Sequence, residues 1–105
     1  MSTSKTAALK TARQAVGHPV GQRTSWQVYG PYRATDLNGP STALNADSYH
    51  MARARRTRWV AHIALTLMGY EGEDLYEVDM IAEQGGSTES IVNAYIRDHA
   101  GDASC

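Results

Sequence analysis

Asp47 to Met68, DSYHMARARRTRWVAHIALTLM, is the one long segment whose apolar residues recur at helical spacing with neither Gly nor Pro to interrupt it. The pattern predicts a helix of about six turns. Stepping 100° per residue places Tyr49, Ala52, Trp59, Val60, Ile63, Ala64 and Leu67 on one broad face, and Ala54, Ala61, Leu65 and Met68 on a second, narrower arc. A polar stripe of Arg55, Arg58, His62 and Thr66 remains. A helix of this kind is covered on two sides and wet on the third, so the rest of the chain has to supply two packing partners. Arg56 is the exception, a charge inside the broad face between Ala52, Trp59, Val60 and Ile63. Either the hydrophobic contact ends one turn later than the periodicity suggests, or the guanidinium is partly enclosed and has an acidic partner, because an unpaired buried charge is too costly to persist. The acidic residues Asp74, Glu77 and Asp79 are the expected source.

The partners for the central helix are short. Ser4 is placed to cap a helix from Lys5 to about Val16, with Ala8, Leu9, Ala12, Ala15 and Val16 on one side and Gly17 at the left-handed C-terminal position. Gly17, His18, Pro19 and Gly21 then break the chain ahead of Ser25-Trp26-Gln27-Val28-Tyr29, a strand by its β-branched and aromatic content, with Trp26 and Val28 buried and Gln27 and Tyr29 outward. Gly30-Pro31 punctuates it. Tyr32 to Thr35 returns as a second short strand, and Asp36-Leu37-Asn38-Gly39-Pro40 reads as turn or loop. The central helix opens between Ser41 and Ser48, with Asn45 and Asp47 as caps, and Gly69 stops it. Glu71, Glu73 and Asp74 suit the first turn of a further helix, Leu75 to Gln84, although Tyr76 to Met80 also alternates as a strand would. Ser87 caps a last helix, Thr88 to about His99, with Ile91, Val92, Tyr95 and Ile96 inward.

The expected fold is therefore α+β: a small antiparallel β-hairpin packed on a long central helix, with a short N-terminal helix and a C-terminal helical hairpin. A length of 105 residues fits a single domain, 1–105, with 1–4 and 101–105 as flexible tails. A two-stranded hairpin is marginal alone, so it must lean on the central helix or pair across a homodimer through its edge.

Charge bears on function. The net charge is −1, which argues against bulk attraction to nucleic acid or anionic membrane, yet the chain is polarised. Nine of the ten Lys and Arg precede Trp59, and nine of the eleven acids follow it. Arg53, Arg55, Arg56, Arg58 and His62 with nearby Tyr49 and Trp59 form a basic, aromatic set that can hold an acidic protein surface or phosphates, since the Arg fork pairs bidentately with either. Tyr29 and Tyr32 add exposed aromatics of the type found at contact surfaces.

The segment Ile81 to Ile96, IAEQGGSTESIVNAYI, resembles a helix-turn-helix, with Ala82, Gly86, Val92 and Tyr95 at the offsets that set the angle between its two helices. It departs from that family at Gly85 and Ser87, where apolar turn residues are usual. The resemblance implies DNA reading by a helix offering Glu89, Ser90, Asn93, Arg97 and Asp98, a set with one cation for phosphate contact.

Little points to an enzyme. The one Cys, Cys105, is the last residue, no Ser stands in a nucleophile elbow, and the four His show no metal-ligand spacing. No cofactor motif occurs among the Gly-rich turns. No apolar run reaches the ~18 residues of a membrane span and no secretory leader is evident, so a cytoplasmic protein without a membrane partner is expected. Three functional readings stay open: an inhibitor or adaptor that docks on an acidic protein or nucleoprotein complex; a DNA-binding regulator; and a small-ligand binder or enzyme with a Tyr/Arg pocket.

Overall fold

The computed structural model describes residues 4–33, 36–70 and 87–98. Helix α1 runs Lys5–Ala15, strands β1, β2 and β3 run Val20–Gln22, Ser25–Arg33 and Asp36–Ala46, helix α2 runs Tyr49–Leu67, and helix α3 runs Thr88–Asp98. The strands form one antiparallel sheet in the order β1-β2-β3. Helix α2 is the shared packing partner of α1, α3, β2 and β3, and the α+β fold with a sheet on a long central helix is the architecture. The expected helix Leu75–Gln84, the alternative strand Tyr76–Met80 and the acidic stretch from Glu71 lie outside the described residues.

Each helix begins where its capping residue dictates. The Ser4 hydroxyl accepts from Ala7 N at 3.3 Å, that of Ser48 from Met51 N at 3.1 Å, and that of Ser87 from Ser90 N at 3.2 Å, satisfying donors that a helix start leaves over. Ser48, rather than Asn45 or Asp47, caps α2. Helix α2 ends in a Schellman motif: Gly69 has φ 105, its N–H donates to Thr66 O at 3.1 Å, and Tyr70 N donates to Leu65 O at 3.0 Å. At the end of α1 the expectation of a left-handed Gly17 fails. Val16 is already extended at φ −104, and the Gly17 amide donates to Tyr29 O at 2.7 Å, so the chain passes directly from helix to sheet edge.

The sheet is larger than the sequence suggests. Val20–Gln22, expected as part of a loop, pairs with β2 through a two-residue connection in which Arg23 takes φ 56. β2 continues through Gly30-Pro31, and Asp36–Pro40 together with Ser41–Ala46 is strand rather than turn and helix start. Cross-strand pairing outweighs local turn preference here: Val28 faces Leu44, Gly30 faces Thr42 and Pro31 faces Ser41, and the ladder shifts register between Pro31 and Arg33 to admit the proline. Gly30 serves packing. A Cβ on it would stand 2.8 Å from the Trp59 indole, so the bare glycine lets that ring lie on the sheet.

The core follows the predicted faces. Val28, Ala52, Val60, Ala61, Ile63, Ala64 and Leu65 are buried with Ala8, Leu9 and Ala12 from α1, Val16 just after it, and Ile91, Val92 and Tyr95 from α3. Trp26, Trp59, Met68, Tyr70 and Ile96 pack partly buried against it, and the Tyr70 and Tyr95 rings meet edge to face at 5.2 Å. Tyr49 departs from its expected place on the broad face and is 49% exposed, and Ala54, expected on the narrower arc, is exposed as well. No described helix is long and apolar enough to cross a membrane.

Candidate binding site on the central helix

The basic residues of α2 divide into two groups once its neighbours are in place. Tyr49, Arg53, Arg56 and Thr57 fall within one arc of the wheel, and Arg55, Arg58 and His62 fall on the opposite side. The first group meets the chain leaving α1. Together with His18 and Pro19 it lines an open cleft of about 290 Å³.

Arg56 is the pivot of that cleft. Its Nε–H donates to Gly17 O at 3.1 Å, and its Nη2 donates to Arg13 O and Val16 O, each at 3.4 Å. Arg13 lies in the last turn of α1, whose carbonyls a helix leaves without intrahelical partners, while Val16 is its C-cap and Gly17 belongs to the chain leaving it. Partial enclosure of Arg56 is thus observed, but its described partners are carbonyl oxygens; Asp74, Glu77 and Asp79 lie outside the described residues. Burial, and after it the Arg13 charge, pull the Arg56 guanidinium below its usual pKa. It stays cationic, as guanidinium does in proteins.

Arg53 is exposed, and its guanidinium carbon sits 5.9 Å from the Tyr49 ring centroid. Tyr49 in turn meets Trp26 edge to face at 5.0 Å, and the Trp26 indole N–H donates to Arg23 O at 2.9 Å. A chain of contacts therefore runs from the β1–β2 turn through two rings to a cation at the mouth of the cleft. The Arg–Tyr stack is worth on the order of 0.5–1 kcal/mol at an exposed site, enough to bias the side chain without burying it.

On the opposite side Arg55 and Arg58 are half-buried and His62 is exposed. Tyr29 is 45% exposed on the outer face of the sheet and donates to Gln27 Oε1 at 2.9 Å; Tyr32 is placed in β2 by its backbone. The structure thus gathers Arg53 and Arg56, sets Arg55, Arg58 and His62 apart from them, and puts Tyr29 on a third surface. His18, Pro19, Thr57 and Trp26 join the site without having been expected there from the sequence. The spacing of Tyr49, Arg53 and Arg56 at i, i+4 and i+7 is a signal, whereas nothing in the sequence says that the end of α1 returns to them.

Two polar side chains of helix α3 are engaged with α1: Glu89 pairs with Arg13, and Asn93 Oδ1 accepts from Lys5 Nζ at 2.8 Å. The first helix of the resembling segment, around Ala82, lies outside the described residues. Among the described residues no three His, Cys, Asp or Glu side chains come together as metal ligands. In comparisons with protein-family models, curated proteins and solved structures, nothing matches this chain.

Proposed function

We propose that this chain is a small binding domain that works by surface contact, as an inhibitor or adaptor docking on an acidic protein or on the protein part of a nucleoprotein complex. The observation that carries the reading is the Trp26–Tyr49–Arg53 chain of ring and cation contacts beside the α1–α2 cleft. Trp, Tyr and Arg are the residues that dominate binding energy at protein interfaces, because they offer large contact area together with directional polar groups. Here they lie on the first turns of a well-anchored helix and on the strand beside it, so little ordering cost remains on association.

The basic half of the chain gives the surface a sign, to which Arg55 and Arg58 add charge from the opposite flank of the helix. Arg pairs with carboxylates through a planar fork, which suits an acidic partner. Fluorescence anisotropy with a labelled Glu-rich peptide and with duplex DNA, each at two salt concentrations, tests the proposal. The peptide is expected to bind the native chain and to lose affinity for Arg53→Glu, while the duplex binds weakly. Duplex binding that is tighter than peptide binding and falls steeply with salt would replace this reading with nucleic-acid binding. Failure of the peptide to bind at low salt rejects it outright.

A further inference from the structure

The cleft beside α2 is concave, and the charged side chains among its described lining are of one sign. Arg53 and Arg56 reach it from successive turns of α2, His18 and Pro19 bring the segment after α1 to it, Tyr49 and Thr57 complete its wall, and among the described residues no carboxylate lines it. Its volume of about 290 Å³ stands at the small end of ligand sites, on the order of 300–1,000 Å³. A single functional group with its stem fits better than an extended ligand.

The two guanidiniums are held in different ways. Arg56 spends Nε–H and Nη2 on the carbonyls of Arg13, Val16 and Gly17, which fixes the plane of the fork, and its Nη1 donors enter no described bond. Arg53 is steadied by the Tyr49 ring and is otherwise open to solvent. A carboxylate brings one charge and two oxygens to such a pair. A phosphate monoester brings a charge of about −1.5 to −2 and three acceptor oxygens, and so engages both forks at once. From this juxtaposition we infer that the cleft takes a phosphate monoester, presented as a phosphorylated side chain on the acidic protein partner; the identity of the carrier rests on the contact reading above.

The test uses the full chain and one acidic peptide sequence made in three forms, with phosphoserine, Ser or Glu at its centre, together with inorganic phosphate alone as an NMR titrant. The phosphoserine peptide is expected to bind about tenfold more tightly than the other two, the size of one charge-assisted hydrogen-bonded pair. Arg53→Gln, at an exposed position that leaves the fold intact, should abolish that preference, whereas Arg58→Gln, across the helix, should weaken all three peptides alike and keep their ratio. Inorganic phosphate should move the amide resonances of His18, Tyr49, Arg53 and Thr57 ahead of all others. Equal affinity for the phosphoserine and Glu peptides overturns the inference, as does a preference that survives Arg53→Gln. Peptides that all fail to bind reject the protein-contact reading instead; if inorganic phosphate still moves the cleft resonances in that case, the phosphate site stands and its protein carrier is overturned.

Discussion

Arg56 and Arg58 lie two residues apart on one helix, and their surroundings share almost nothing. Arg56 turns toward α1, where three carbonyl oxygens receive it, and Arg58 lies with Arg55 and His62 on the opposite flank. The same side chain thus ties two elements together on one flank, while on the other it extends a charged stripe. Residue type does not decide which role an arginine takes. What decides it is whether a neighbouring element offers unpaired polar backbone at the right height, and the C-terminus of α1 does so by construction.

Four variants probe that difference. The largest effect is expected for Ile63→Ala, which supplies the scale: Ile63 is 1% exposed at the centre of the core, and its loss should cost roughly 2–5 kcal/mol through lost transfer energy and the cavity left behind. A thermal midpoint unmoved by this change would mean that the core is not where the buried face of α2 places it.

Arg56→Met comes next. It keeps much of the apolar stem, removes the donors and returns the α1 carbonyls to solvent, so a loss of about 1.5–3 kcal/mol is expected, typical of hydrogen bonds made by a charged group. Chemical denaturation measures it. If the variant matched the native chain, the two flanks of α2 would be equivalent and the comparison would collapse.

Glu89→Gln tests the polar contact between α3 and α1. The Glu89 carboxyl is held below its ordinary pKa by its own backbone N–H first and by Arg13 second. A depressed carboxylate contributes stability above its unfolded pKa and loses it as pH falls through the folded value. The pair is well exposed, so the cost at neutral pH should be under about 1 kcal/mol. It should vanish in acid, where the native and variant proteins converge; a gap that widens as pH falls contradicts the assignment.

The smallest effect belongs to the stripe. Arg55→Glu with Arg58→Glu should shift stability by no more than about 0.5 kcal/mol, since neither half-buried side chain makes a described hydrogen bond or ion pair, while weakening the acidic peptide. Unfolding of that double variant would show that the stripe is structural.

Much of the fold is legible in the amino-acid order alone. The 3.6-residue period of Asp47–Met68 marks the central helix, Gly69 marks its end, Ser4 and Ser87 mark two caps, and Ile91, Val92 and Tyr95 mark the inward face of the last helix, all through interactions between residues a few positions apart. Asp36–Pro40 misleads for the same local reason: Asp, Asn, Gly and Pro are turn formers, and only pairing with β2 makes a strand of them. Gly30 reads as punctuation in the sequence, whereas in the fold it makes room for the Trp59 ring.

The amino-acid order by itself therefore determined the three described helices, the caps of the first and last, the buried stripe and the polarity of charge, since each depends on periodicity and on contacts within about one turn. Tertiary structure alone decided that β3 is a strand, that Arg56 closes the end of α1, and that His18 and Pro19 join Tyr49, Arg53 and Thr57 around one cleft. Those outcomes depend on which unpaired backbone groups and which bare surfaces meet between segments far apart in the chain, and neither periodicity nor propensity encodes such distances.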